Sequence, residues 1–186
     1  MSPNHFPRPS VAGALWVLFA YSLFIVGAGL VSALNTRHWG APLVPVTGGS
    51  PWAGVAAVIL AVLVVGVNVL AVRWRPLGVV QAELAAAVRP LLGLGPWPLA
   101  VASGVAEEWV FRGILMPFAG PWLQGLIFGL LHWPASRRLW PWTLWAVVMG
   151  WLLGALTLQA GALWPAMLAH ALINGVSLTR LSKMPA

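Results

Sequence analysis

Residues 11–34 read VAGALWVLFAYSLFIVGAGLVSAL, 24 residues without a charge. About 20 apolar residues in a helix cross the hydrocarbon core of a bilayer, so this run spans it with some tilt. A secretory signal has a shorter apolar region and a small-residue cleavage site, so the run is read as a first helix kept in the protein. Further apolar stretches follow: Trp52 to Val72, Leu99 to about Phe118, from Pro121 to about Trp133, Trp140 to Leu158, and Ala162 to about Leu178. Gly120 and Pro121 make a tight turn between the third and fourth, and the fourth is short for a full span. Leu77 to Pro98 is less apolar, holds Glu83 and Arg89, and is expected as a short amphipathic helix at the membrane surface. The expected fold class is all-α: a polytopic transmembrane helical bundle of about six helices, one integral membrane domain over residues 1–186.

Composition agrees. Of 186 residues, 60% are hydrophobic and 7% charged, against about 25% charged in a soluble domain. Cysteine is absent, which excludes disulfides, thiol nucleophiles and thiolate metal sites. The net charge of +7 does not point to nucleic acid, because the basic residues stand singly or in pairs between apolar runs. With both termini in the cytoplasm, Arg8, Arg73, Arg75, Arg89, Arg137, Arg138, Arg180 and Lys183 fall inside, and Arg37 alone falls outside, as the positive-inside rule requires. Many Trp residues, among them Trp39, Trp52, Trp74, Trp122 and Trp140, fall near the ends of the expected spans, where amphipathic rings collect. Gly125 with Gly129, and Gly150 with Gly154, have the small-xxx-small spacing of close helix crossings.

The acidic residues are three glutamates, Glu83, Glu107 and Glu108. The last two lie inside an apolar stretch, where an ionisable group costs about 2.5–3.5 kcal/mol on insertion scales and persists with a partner or a function. Arg112 shares that stretch, His132 lies on the next, and His170 and Asn174 lie on the last. Residues four apart share a helix face. Glu108 and Arg112 are therefore spaced as an ion pair, with Glu107 turned elsewhere, while Phe128 sits beneath His132 and His170 shares a face with Asn174. A carboxylate and two imidazoles at one cavity can hold and deprotonate a water, and an Asn amide can donate to an oxyanion. Each group also has a plainer reading. Glu108 with Arg112 serves as a structural ion pair, and a lone His or Asn serves as an interhelical hydrogen bond. Asn68 and Gln124 are read as packing glue, His5 and His38 as exposed, and Glu83 and Arg89 as solvated.

Three motifs stand in order: Glu107-Glu108-x-x-x-Arg112, Phe128-x-x-x-His132 and His170-x-x-x-Asn174. Together, over about residues 99–177, they resemble the signature of the CAAX protease and bacteriocin-processing family, the type II CAAX prenyl endopeptidase or abortive-infection family. The resemblance implies a glutamic-type intramembrane endopeptidase without a covalent intermediate or cofactor. In it Glu107 is the base, His132 helps to hold the water, and His170 and Asn174 bind the oxyanion or orient the carbonyl. Glu108, Arg112 and Phe128 support them. The chain is shorter than the eukaryotic prenyl-protein proteases, and its Ala, Gly, Arg and Trp bias points to a bacterium. The resemblance then implies a protein of the cytoplasmic membrane acting on a membrane-anchored protein or peptide. The C-terminal sorting signals that myxosortase-like enzymes process are the favoured class. A zinc metalloprotease using the same Glu and His residues, a proton-relay carrier and a silent scaffold are the competing expectations.

Overall fold

The computed structural model describes residues 8–40, 43–133 and 137–184. Among them every regular element is helical. Helix α1, Val11–Leu34, starts at Ser10, whose hydroxyl accepts from the Gly13 N–H at 3.2 Å, the usual side-chain solution for an orphan first-turn donor. It runs on into a wider π-turn, Asn35–Trp39. Helix α2 is Ala53–Ala71 and α3 is Arg75–Val88, started by Pro76. Helix α4, Pro96–Glu108, passes through a π-turn, Trp109–Leu115, into α5, Met116–Leu131. Helix α6, Trp140–Ala160, ends at Gly161 in the left-handed region and leads into α7, Trp164–Ser182.

Four helical runs are long and apolar enough to cross a membrane: Val11–Arg37, Ala53–Ala71, Pro96–Leu131 and Arg137–Ala160. The chain is an integral membrane protein with an all-α bundle fold. The expected third and fourth helices are one 36-residue run, broken at Gly120, where φ is 76° and a side chain would be strained. The expected sixth helix is α7. It is long enough to span, at 19 residues, but carries His170, Asn174, Thr179 and Arg180 and is less apolar than the others. The reason is position: α7 is packed against α4, α2, α6 and α3, so its surface meets protein more than lipid. The expected surface helix is α3, which buries Val80 and Ala85.

Packing follows from small residues, since lipid offers apolar side chains no net advantage in meeting each other. Ala57, Ala61 and Val64 of α2, Met149, Leu153 and Leu156 of α6, and Ala166, Ala169 and Ile173 of α7 make the central core. Their spacing of three and four is one face of each helix. Helix α5 crosses α6 at the two glycine pairs. A Cβ on Gly150 would lie 2.7 Å from the Gly125 Cα, backbone that cannot move aside. Gly104 does the same for α4 on α7, its absent Cβ facing the Ala171 nitrogen at 2.9 Å. In contrast, only 6% of the best apolar window of Val11–Arg37 is buried, so α1 lies at the periphery.

Of the two residues read as solvated, Glu83 stays at the surface in an exposed ion pair, and Arg89 is tied to the end of the chain. Glu83 lies 3.6 Å from Arg138, and Arg89 donates from Nη2 to the Met184 carbonyl at 2.9 Å. The first follows from α3 lying beside the turn before α6, the second from its lying beside the end of α7. His5 and the side chain of His38 lie outside the described residues.

Candidate active site

Helix α4 places Glu107 and Glu108 at its last turn, directly before the π-turn that holds Arg112. Single π-turns inside helices recur at functional sites because they re-aim side chains by about one residue. Pro117 helps to set this one, since it has no N–H for the carbonyl four residues earlier, that of Gly113. The Gly113 carbonyl instead accepts from the Val44 N–H at 3.3 Å. The same loop crosses to the start of α7, where Leu163 N–H donates to Pro45 and Trp164 N–H to Val46. The α1–α2 connection therefore joins the glutamate helix to the histidine helix.

Glu108, Arg112 and His170 form a closed polar cluster. Glu108 and Arg112 side chains are both 0% exposed, with Nη1 donating to Oε1 at 2.9 Å. His170 Nδ1 lies 2.6 Å from the same oxygen, which makes the imidazole the donor to an ion-paired carboxylate. Arg112 Nη2 also donates to the Gly150 carbonyl at 3.3 Å, and its guanidinium stands 4.4 Å from the Phe128 ring centre. A buried ion pair is tolerable when further hydrogen bonds complete it. Here one atom of each partner stays unmatched among the described residues, Glu108 Oε2 and Arg112 Nε.

Glu107 faces the other way. Its Oε1 accepts from the Tyr21 hydroxyl of α1 at 2.8 Å. Its Oε2 lies 3.8 Å from His132 Nε2 and 3.9 Å from His170 Nε2. Both separations are too long for a direct hydrogen bond. His132 sits at the end of α5 with Nδ1 2.7 Å from the Phe128 carbonyl. A carbonyl can only accept, so Nδ1 carries the proton, and in neutral His132 the Nε2 lone pair points towards Glu107. The Phe128 ring lies against the same imidazole, tilted 45° to it with centroids 4.5 Å apart. One residue thus orients His132 with its backbone and Arg112 with its ring. The carboxylate is 15% exposed and His132 27% exposed, so this half of the site is open while the Glu108 half is sealed.

The structure brings Glu107, His132 and His170 to one point, with Glu108, Arg112 and Phe128 behind them. Asn174 is placed differently: its Nδ2 donates to the Ser103 hydroxyl at 3.0 Å, one turn before Glu107 on α4. One hydrogen of that amide is therefore committed to fixing α7 against α4. Sequence reasoning passed over Ser103 and Tyr21. The signal available for Tyr21 was its being the single tyrosine of the chain, set inside an apolar span. Gln124 is fully buried and donates to the Gly150 and Pro121 carbonyls, a packing role at the α5–α6 crossing. Among the described residues no group of three or more His, Cys, Asp or Glu side chains is arranged to hold a metal ion.

Residues 89–176 match the family model described as type II CAAX prenyl endopeptidase Rce1-like. Over 80 residues the chain is 38% identical to the uncharacterized protein YpbD of Bacillus subtilis (strain 168), which is 42% of this chain and 41% of that relative. The chain therefore matches about two fifths of that relative's length. No solved structure gives a significant match. The matched residues contain the whole of the Glu107, His132 and His170 arrangement.

Proposed function

We propose, from the match of residues 89–176 to the type II CAAX prenyl endopeptidase Rce1-like family, a family of proteases, that this protein is a glutamic-type intramembrane endopeptidase. One observation carries the reading: Glu107 Oε2 stands 3.8 and 3.9 Å from two imidazole Nε2 atoms. A polar gap of this width suits a single bridging water. Glu107 takes a proton from that water as its oxygen attacks the scissile carbonyl carbon. His132, aligned by the Phe128 carbonyl, holds the water for the attack. The oxyanion of the tetrahedral intermediate accepts from Nε2–H of His170 in its doubly protonated form, with Nδ1–H held by Glu108, and from the second hydrogen of the Asn174 amide. On collapse the C–N bond breaks, and Glu107 returns its proton to the leaving amine, so no covalent enzyme intermediate forms.

The substrate in this reading is a membrane-anchored protein or peptide whose cleavage site enters from the exposed side of Glu107. The family name refers to prenylated CAAX proteins. For a chain of this composition we favour instead a C-terminal sorting tail, processed in a bacterial cytoplasmic membrane with both termini inside. The test is complementation of a deletion strain with wild type and with His132→Ala, each confirmed folded in the membrane fraction, while proteomics of C-terminal tails reports what stays uncut. Processing restored by wild type and lost with His132→Ala, also in the presence of a strong chelator, is the expected result. Full processing by His132→Ala would overturn the reading, and loss of wild-type activity on chelation would favour the metalloprotease.

Tyr21 belongs to this mechanism as a positioning residue, because its hydroxyl occupies Oε1 and leaves Oε2 for the water. A hydrogen bond to a charged group contributes about 1.5–3 kcal/mol to stability, so Tyr21→Phe is expected to lower the melting temperature modestly and, by loosening Glu107, to lower turnover by roughly tenfold, about 1.4 kcal/mol. Unaltered turnover in purified Tyr21→Phe would mean that the contact is idle.

A further inference from the structure

A cavity of about 370 Å³ lies apart from Glu107, between α2, α3, α6 and α7. That volume is in the range of sites for small amphiphilic molecules, roughly 300–1,000 Å³. Its walls are apolar, with Val80, Leu84, Trp142 and Trp145 among them, and Arg180 is its cation. No carboxylate lines it. The surrounding end of the bundle is strongly basic. Arg73 and Arg75 join α2 to α3, Arg137 and Arg138 precede α6, and Lys183 follows α7. The single acid nearby, Glu83, faces Arg138 at 3.6 Å. An apolar slot under a basic rim is complementary to one class of molecule in a bilayer, a lipid with a hydrocarbon chain and an anionic head. Basic pockets between transmembrane helices on the cytoplasmic side bind such headgroups, and the positive-inside bias turns this end to that side.

We propose that this cavity is a binding site for an anionic phospholipid of the surrounding membrane, its phosphate at Arg180 and one acyl chain along Leu84, Val80 and Trp145. The site bears on His132 through Trp142. That ring lines the cavity and stands 6.2 Å, edge to face, from the His132 ring, while Thr143 next to it donates to the His132 carbonyl at 3.2 Å. A chain in the cavity therefore packs behind the turn that holds one of the three converging groups. The proposal concerns binding and does not rest on the proteolytic reading.

Binding is measured on the full chain in detergent after lipid removal, by quenching of tryptophan fluorescence with dibrominated phosphatidylglycerol or phosphatidylcholine. Trp140, Trp142 and Trp145 all line the cavity and report occupancy. Saturable quenching by phosphatidylglycerol at about one tenth of the phosphatidylcholine concentration is the expected result. Arg180 is exposed, so Arg180→Gln should fold normally and lose about fivefold of that preference, the contribution of one basic side chain near anionic lipid. Val148→Phe, which fills the slot, should weaken quenching by both lipids. Equal affinity for the two lipids, or a preference undiminished in Arg180→Gln, overturns the proposal. So does phosphatidylglycerol quenching unaffected by Val148→Phe in a variant of normal melting temperature. Saturable quenching by a brominated hydrocarbon ester without charge, at lower concentration than either lipid, assigns the slot to an apolar segment of a substrate instead.

Discussion

Glu107→Gln is expected to leave the bundle folded and to lower proteolysis by about 10²–10⁴-fold, the usual contribution of a positioned general base. Glutamine keeps the size of the side chain and an oxygen that accepts from Tyr21. It cannot take a proton from water. The measurement is turnover of the identified tail in detergent or proteoliposomes, with thermal melting and gel-filtration profiles of both proteins beside it. A folded Glu107→Gln protein that turns over at near the wild-type rate would remove Glu107 from the chemistry and with it the glutamic mechanism. The buried neighbour gives an internal contrast. Glu108 Oε1 is taken by Arg112 and His170, so its loss acts through orientation and packing and not through a missing base.

Arg112→Met is expected to have the largest effect on stability. Removing one member of a buried pair strands the other charge and costs about 3–5 kcal/mol, against a total of about 5–15 kcal/mol for a folded protein. Here both side chains are fully buried, and the variant also withdraws the Nη2 donor from Gly150 at the α5–α6 crossing. The expected observation is a large fall in folded yield and melting temperature in detergent. The double variant Arg112→Met with Glu108→Gln should recover much of the loss, because replacing both charges is far less costly than stranding one. A single variant that melts like wild type would mean that the pair adds nothing to the fold.

How far these features could be read from the sequence depends on what insertion into a membrane penalises. Glu107, Glu108, Arg112, His132 and His170 stand out because charge and imidazole are costly in apolar runs, and four-residue spacing pairs Glu108 with Arg112 without any tertiary information. The break at Gly120-Pro121 was legible for a similar reason, since those residues have few backbone options. Tyr21 and Ser103 were not. Hydroxyls are cheap enough in a span to pass as ordinary packing, and the choice of Glu107 and Asn174 as their partners is made by helix crossings, not by periodicity. The π-turn at Trp109–Leu115 leaves no compositional trace except Pro117 just beyond it. Helix α7 was read as one more span like the others. Its polar content instead records a position among helices, where protein groups replace lipid.

The first candidate span, Val11–Arg37, is 27 residues long, and α2 is 19. At 1.5 Å per residue these are about 40 and about 28 Å long, against a hydrocarbon core of about 30 Å. The two spans therefore differ in length by about 12 Å, and the longer one fits the same bilayer by leaning. That lean is set where α1 meets the glutamate helix, since Trp109 Nε1 donates to the Ser32 hydroxyl at 3.2 Å and the Tyr21 hydroxyl donates to Glu107. A membrane of a thickness that altered this lean would therefore act directly on the contact between Tyr21 and Glu107.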